Sequence, residues 1–235
     1  MRQRIRKIEE LQIMSFTRYL RSAAIVVVML GIAPHAMAPH AMAQAAAEKA
    51  KVDGFRSAKF QMTEDQVRQA INADFKITAG KIEKHSDRAT KTQVLRILVP
   101  DLLPERGAAQ VSYSFGFKSN KLIQVDVVWS PMFDKTITNE QLLAVQANLR
   151  QYLGERGFAK NKTVVNAATE RPNVVVFFRG EDDQGRVVAL VGRFKVDPKA
   201  EPGKQVLGDQ PEAIILTYVS NPKAPDIYRI EPGKF

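Results

Sequence analysis

The 235 residues contain no cysteine. Disulfides, thiol chemistry and a lipid anchor on cysteine are thereby excluded. Histidine is nearly as scarce, and only His85 lies beyond the first 43 residues. A histidine base has no other candidate, and a zinc site lacks its Cys and His ligands. No serine sits in a nucleophile elbow, and no glycine-rich phosphate loop is present. The most apolar run, Ala23 to Ala33, is too short to rest in a bilayer as a spanning helix.

That run is the apolar centre of an export leader. Arg18 and Arg21 precede it, Pro34 and small residues follow, and Ala41-Met42-Ala43 offers a cleavage site before Gln44. The expected organisation is a signal peptide over residues 1–43, with an ordinary leader starting at Met14. The expected location is the periplasm, without lipidation and with no membrane-spanning segment once the leader is removed.

Formal charge of the chain is +10, but the leader carries six Lys and Arg against two acidic residues. The remainder holds 29 against 23, a net +6 that is spread along the sequence. Such an excess attracts anionic surfaces at long range. Without a basic stripe or a recognition motif it gives no nucleic-acid partner.

Regular alternation sets the first strands. In Ala109 to Ser130, Val111, Tyr113, Phe115 and Phe117 share one face, and Ile123, Val125, Val127 and Trp129 share one face after the polar turn. The predicted hairpin pairs Phe117 with Ile123 and Val111 with Trp129 around Ser119-Asn120-Lys121. Further strands are expected over Thr92–Val99, Thr163–Ala167, Val174–Phe178, Arg186–Val196 and Ala213–Val219. Lys81–Lys91 reads as a loop or weak strand. Asp197–Asp209, with its prolines and glycines, reads as loop. The tail reads as coil pinned by Ile227, Tyr228 and Ile230.

Two helices start alike. Thr63 is followed three residues on by Gln66, and Thr138 by Gln141, each pair a capping box. Met62 and Val67 frame the first as a hydrophobic staple, Ile137 and Leu142 the second. The first helix is expected to end near Phe75 to Ala79, with Gly80 just beyond as a terminator, and the second at Gly154 or Gly157. The order is helix, strand, hairpin, then helix, strand, hairpin, strand. An α+β fold follows, with antiparallel sheets each covered by a helix. The repeated caps favour two similar helix-plus-sheet units, 44–130 and 131–235, packed as one body. A single sheet of about seven strands under both helices is the alternative.

Residues Phe60 to Val67, FQMTEDQV, resemble the opening of the SmpA/OmlA-like outer-membrane assembly lipoproteins and of the β-lactamase-inhibitor-like periplasmic modules. In that pattern a Gly-Met-Thr/Ser precedes Glu-x-x-Val on a helix; Gln61 stands here at the glycine. Beyond this opening the chain is similar to uncharacterised exported proteins of alphaproteobacteria. The resemblance implies a helix followed by an antiparallel sheet, and a role in binding other proteins.

Chemistry-bearing residues are few. His85 reads as an exposed loop histidine. Glu181-Asp182-Asp183-Gln184-Gly185 lacks the spacing of a calcium loop and reads as a solvated hairpin turn. Gly116, inside a strand, suggests a bulge or a close contact. Arg96, Arg179 and Arg193 lie in or beside strands, with Glu170, Asp126 and Asp197 as candidate mates. They read as ordinary surface pairing or, in the sharper reading, as a charged recognition face on the sheet opposite the helices. Trp129 reads as core, or as a binding anchor at the sheet edge. The function expected is therefore non-catalytic, with no cofactor and no metal: a protein-binding or envelope-assembly factor with an envelope protein as partner. A lipid or small-molecule carrier, which needs a cavity between sheet and helices, is the alternative. A carboxylate-dependent hydrolase ranks below it.

Overall fold

The computed structural model describes residues 49–171, 173–196, 207–230 and 233. The leader, its cleavage site and Met14 lie outside the described residues. So do residues 197–206, which include Asp197 and most of the expected loop.

Helix α1 runs Glu64–Phe75 and helix α2 runs Asn139–Gly154. Both capping boxes form as the sequence predicts. Thr63 Oγ1 accepts the Gln66 amide while Gln66 Oε1 accepts the Thr63 amide, and Thr138 and Gln141 repeat the exchange. Each box satisfies two of the amides that a helix start leaves free. The end of α1 falls within the expected stretch, Phe75 to Ala79, although the capping residue is not a glycine. Lys76, at φ 57°, takes the left-handed position and gives its amide to Asn72, so the helix closes four residues before Gly80.

Ten strands follow the chain. β1 (Gly54–Phe55) and β2 (Ala58–Lys59) form a small hairpin before α1. Between the helices come β3 (Glu83–Ser86), β4 (Gln93–Val99), β5 (Ala109–Phe115) and β6 (Leu122–Trp129). After α2 come β7 (Thr163–Ala168), β8 (Val174–Glu181), β9 (Val187–Val196) and β10 (Leu207–Val219). Apart from the small hairpin, all are antiparallel in one eight-stranded sheet of order β3-β4-β5-β6-β10-β9-β8-β7. Each half contributes a helix and a four-stranded meander. The last strands of the two meanders, β6 and β10, meet antiparallel at the centre, so a local two-fold relates the halves.

One apolar cluster lies between the sheet and both helices. Val67 and Ile71 of α1 and Leu142, Val145, Leu149 and Leu153 of α2 meet Leu95, Ile97, Tyr113, Val127, Trp129, Leu190 and Ile214. Leu102 is buried at the rim and Leu103 packs against it, as expected. No helix among the described residues is long and apolar enough to cross a membrane.

Two strand expectations are corrected. First, the central hairpin is shifted by two residues: Val111 faces Val127 and Ala109 faces Trp129. A shift of two leaves every side chain on its own face, so alternation cannot detect it. A bulge at Ile123, between the pairs Ser114–Gln124 and Phe115–Leu122, sets the register, and Ile123 drops out of the core cluster that Leu122 joins. Second, β10 begins at Leu207 inside the expected loop and accommodates Pro211 between two register shifts. Of the two readings given for Lys81–Lys91, loop or weak strand, the strand is the one found, as the short edge strand β3.

The tail is pinned through Asp226 and Tyr228 more than through Ile230, which is exposed. Asp226 accepts the amides of Lys118 and Ser119, and Tyr228 sits edge-on to Phe117 beneath Lys91 Nζ. A Cβ on Gly116 would collide with the Asp226 carboxylate, which explains glycine at that strand end.

Candidate functional site

Alternation puts the even-numbered residues of β4 and β5, and Gln124, Asp126 and Val128 of β6 beyond the bulge, on the sheet face turned away from the helices. On that face one cross-strand row crosses all eight strands. Glu83 pairs with Arg96, Arg96 with Ser112, and Ser112 with Asp126. Asp126 pairs with Thr217 over the central ladder. Thr217 pairs with Ala189, Ala189 with Arg179, and Arg179 with Val164.

Arg96 and Arg179 thus occupy equivalent places, each on the second strand of its half. Five strand spacings separate them, about 24 Å. Small side chains, Ser112, Thr217 and Ala189, lie between them around Asp126. The third predicted arginine stands apart. Arg193 follows Ala189 by four residues along β9, about 13 Å from the row. Its Nε lies 3.4 Å from Glu212 Oε2.

The mates differ from those expected. Arg179 Nη2 donates to Glu181 Oε2 at 3.0 Å. Arg96 Nη2 lies 3.1 Å from His85 Nε2. A guanidinium only donates, so this bond needs an unprotonated Nε2 on His85. His85 itself lies on β3 and is half-buried, a correction to the exposed loop position expected of it. Neither Glu170 nor Asp126 is paired with an arginine among the described contacts.

Asp126 marks the middle of the face. Its carboxylate accepts Gln124 Nε2 on both oxygens, at 3.0 and 2.8 Å, and the Thr217 hydroxyl. Burial pushes its pKa above the usual carboxylate value, against the pull of the Thr217 and Gln124 bonds. The sequence offered Asp126 only as an arginine's mate. Its position at the junction depends on the β6–β10 ladder, whose partners lie about ninety residues apart in the chain.

Trp129 is 1% exposed and belongs to the core cluster. Ala109 across the strand leaves room for the indole, and no surface of it is offered to a partner. The anchor reading is therefore corrected to core.

The acidic turn is likewise not simply solvated. Asp182 is 4% exposed and accepts the amides of Val52, Gln184 and Arg186 and the guanidinium of Arg186. It ties the segment before α1 to the β8–β9 hairpin. Among the described residues no three His, Asp or Glu converge on a metal-sized site.

A cavity of about 700 Å³ lies at the β4 edge, between the end of α1 and the strand. Arg96 lines it, together with Lys81, Ile77, Leu98 and Gln110. Between helices and sheet, by contrast, Trp129, Tyr113, Leu122 and Leu142 are fully enclosed in packed core.

No protein-family model, curated protein or solved structure matches the chain.

Proposed function

We propose that the protein is an exported periplasmic factor without catalytic activity, which binds an envelope protein through the helix-free face of its sheet. The observation that carries this reading is the row of paired residues across all eight strands, with Arg96 and Arg179 at equivalent places about 24 Å apart. Short side chains in the middle of the row let a partner's surface approach the backbone. Arginines on either side supply charge-assisted hydrogen bonds, which are stronger than neutral ones, and arginine is enriched among the hot spots of interfaces. Excess positive charge in residues 44–235 speeds the approach of an acidic partner. The apolar run Ala23 to Ala33 and the Ala41-Met42-Ala43 site support export.

A photo-crosslinking side chain at Ser112, on the proposed face, tests this against one at Asn148, an exposed position of α2. Ser112 is expected to capture one envelope protein, and Asn148 is not. The combined change Arg96→Gln and Arg179→Gln, which removes both charges without placing acids beside Glu83 and Glu181, is expected to abolish the adduct while cooperative thermal unfolding is retained. Equal capture from both positions, or none from Ser112, refutes the reading. Mass measurement of the protein from the periplasmic fraction is expected to show a chain beginning at Gln44.

A further inference from the structure

The second edge feature concerns the backbone of β4. In this antiparallel strand, alternate residues aim their N–H and C=O groups at opposite neighbours. Thr92 C=O accepts the Asp87 amide at 2.9 Å, so the even-numbered residues of β4 aim at β3. Register then pairs Val94 with His85 and Arg96 with Glu83. Leu98 comes next, and its partner by count is Lys81. There β3 has already ended. Residues Ala79–Lys81 coil into a 3₁₀ turn, where Lys81 gives its amide to Thr78 and Ile82 gives its amide to Ala79. The β3–β4 ladder ends at the pair Glu83 and Arg96, and no turn or loop residue among those described bonds the N–H or C=O of Leu98 in its place.

The side chain tells the same story. Leu98 is 49% exposed, unusual for a leucine inside a strand of a large sheet. Protein edges left bare in this way are ordinarily covered or blunted. Here the bare edge opens into the 700 Å³ cavity. Four cations line that cavity, Arg56, Lys76, Lys81 and Arg96. Three carboxylates face them, Asp74, Glu83 and Asp101, and Asp74 is engaged by the hydroxyl and amide of Ser57. The balance is positive.

We propose that this edge binds an extended acidic peptide, whose backbone pairs with Leu98 antiparallel to β4. A donor and an acceptor offered by one residue in strand geometry match an extended backbone. Pro100 has no N–H, so β4 offers no donor past Val99 and the pairing is short. Acidic side chains of the guest meet Lys81, Arg56 and Arg96, and its apolar side chains cover Leu98. The site shares Glu83 and Arg96 with the central row, but the Leu98 backbone and the Lys81 side chain lie outside that row, so changes at Leu98 and Lys81 test this assignment apart from it.

The probe is a fluorescein-labelled peptide, Val-Glu-Val-Glu-Val, acetylated and amidated, titrated into the purified protein and followed by anisotropy. Saturable binding is expected, with slowed hydrogen exchange at the Leu98 amide. Leu98→Pro removes only an N–H that points off the sheet, a substitution that edge strands accept. It is expected to weaken binding about five- to tenfold, the range for one backbone hydrogen bond. Lys81→Glu, which leaves β4 untouched, is expected to weaken it as well, and Arg179→Glu is expected to leave it unchanged. A peptide N-methylated at the central valine, and Val-Lys-Val-Lys-Val, are expected to bind poorly. Absence of saturable binding, or equal binding by Leu98→Pro and by the lysine peptide, overturns the proposal.

Discussion

Thr217 donates its hydroxyl to Asp126 Oδ1 at 2.5 Å, across the ladder that joins the two halves of the sheet. With Gln124 on the same carboxylate, three hydrogen bonds hold Asp126, and none comes from a cation. Burial raises the pKa of this group above its ordinary value despite those bonds. The folded state therefore holds the proton more tightly than the unfolded state. Ionised Asp126 costs stability at neutral pH, and that cost disappears once pH falls below the unfolded carboxylate value.

Asp126→Asn keeps the shape and an acceptor oxygen for Thr217 and Gln124. It is expected to raise Tm at pH 7 by about 2 to 4 °C, the shift that about 1 kcal/mol gives in a domain of this size. The gain should shrink as pH falls through the raised pKa, and vanish below the ordinary carboxylate range. Thermal unfolding of both proteins from pH 3 to pH 8 measures it. An advantage independent of pH, or a loss at pH 7, contradicts the assignment.

Tyr113 gives a second prediction. Its ring is fully enclosed, and its hydroxyl finds no hydrogen-bond partner among the described residues. Burial also pushes its pKa upward. A buried hydroxyl without a partner costs roughly 1–3 kcal/mol, while the ring supplies the packing. Tyr113→Phe removes the first and keeps the second. Its urea unfolding midpoint is expected to rise with an unchanged slope, by an amount equal to about 1 kcal/mol. A lower midpoint would mean that the hydroxyl is satisfied in solution.

How far the sequence led depends on the range of each interaction. The helix caps were legible because Thr63 and Gln66, or Thr138 and Gln141, lie three residues apart. Strand faces were legible because alternation is local, and the same alternation set Arg96 and Arg179 on the polar side. The two-residue register shift was hidden, because Val111 opposite Val127 and Val111 opposite Trp129 bury the same side chains. Two facts of the site lay further out of reach. Asp126 meets Thr217 only through a ladder between strands ninety residues apart, and Leu98 is bare only because residues 79–81 leave the ladder. Asp182 was misread because its composition suits an exposed turn, while its first partner, the Val52 amide, lies 130 residues away.

Asp182 should respond to pH in the opposite sense from Asp126. Burial pushes its pKa up, but bonds from the Val52 amide, the Arg186 guanidinium and the Arg186 and Gln184 amides outweigh it. The carboxyl is held below its ordinary range. The folded state thus favours the ionised form, and the contribution is complete above the unfolded carboxylate value. It is lost as pH falls through the lowered folded value. Arg186 Nη2 lies 2.7 Å from Oδ2 in a pair that is nearly enclosed. Removing one partner of such a pair leaves the other charge unpaired and costs roughly 3 kcal/mol or more. Asp182→Ala is expected to cost about that much at pH 7, and to release the segment around Val52, seen as faster amide exchange there. Asp182→Ala combined with Arg186→Met should recover part of the loss, because the orphaned guanidinium goes with its partner. Toward pH 2 the gap between the original protein and Asp182→Asn should close. A gap that persists unchanged at low pH would place the stabilisation in shape rather than charge.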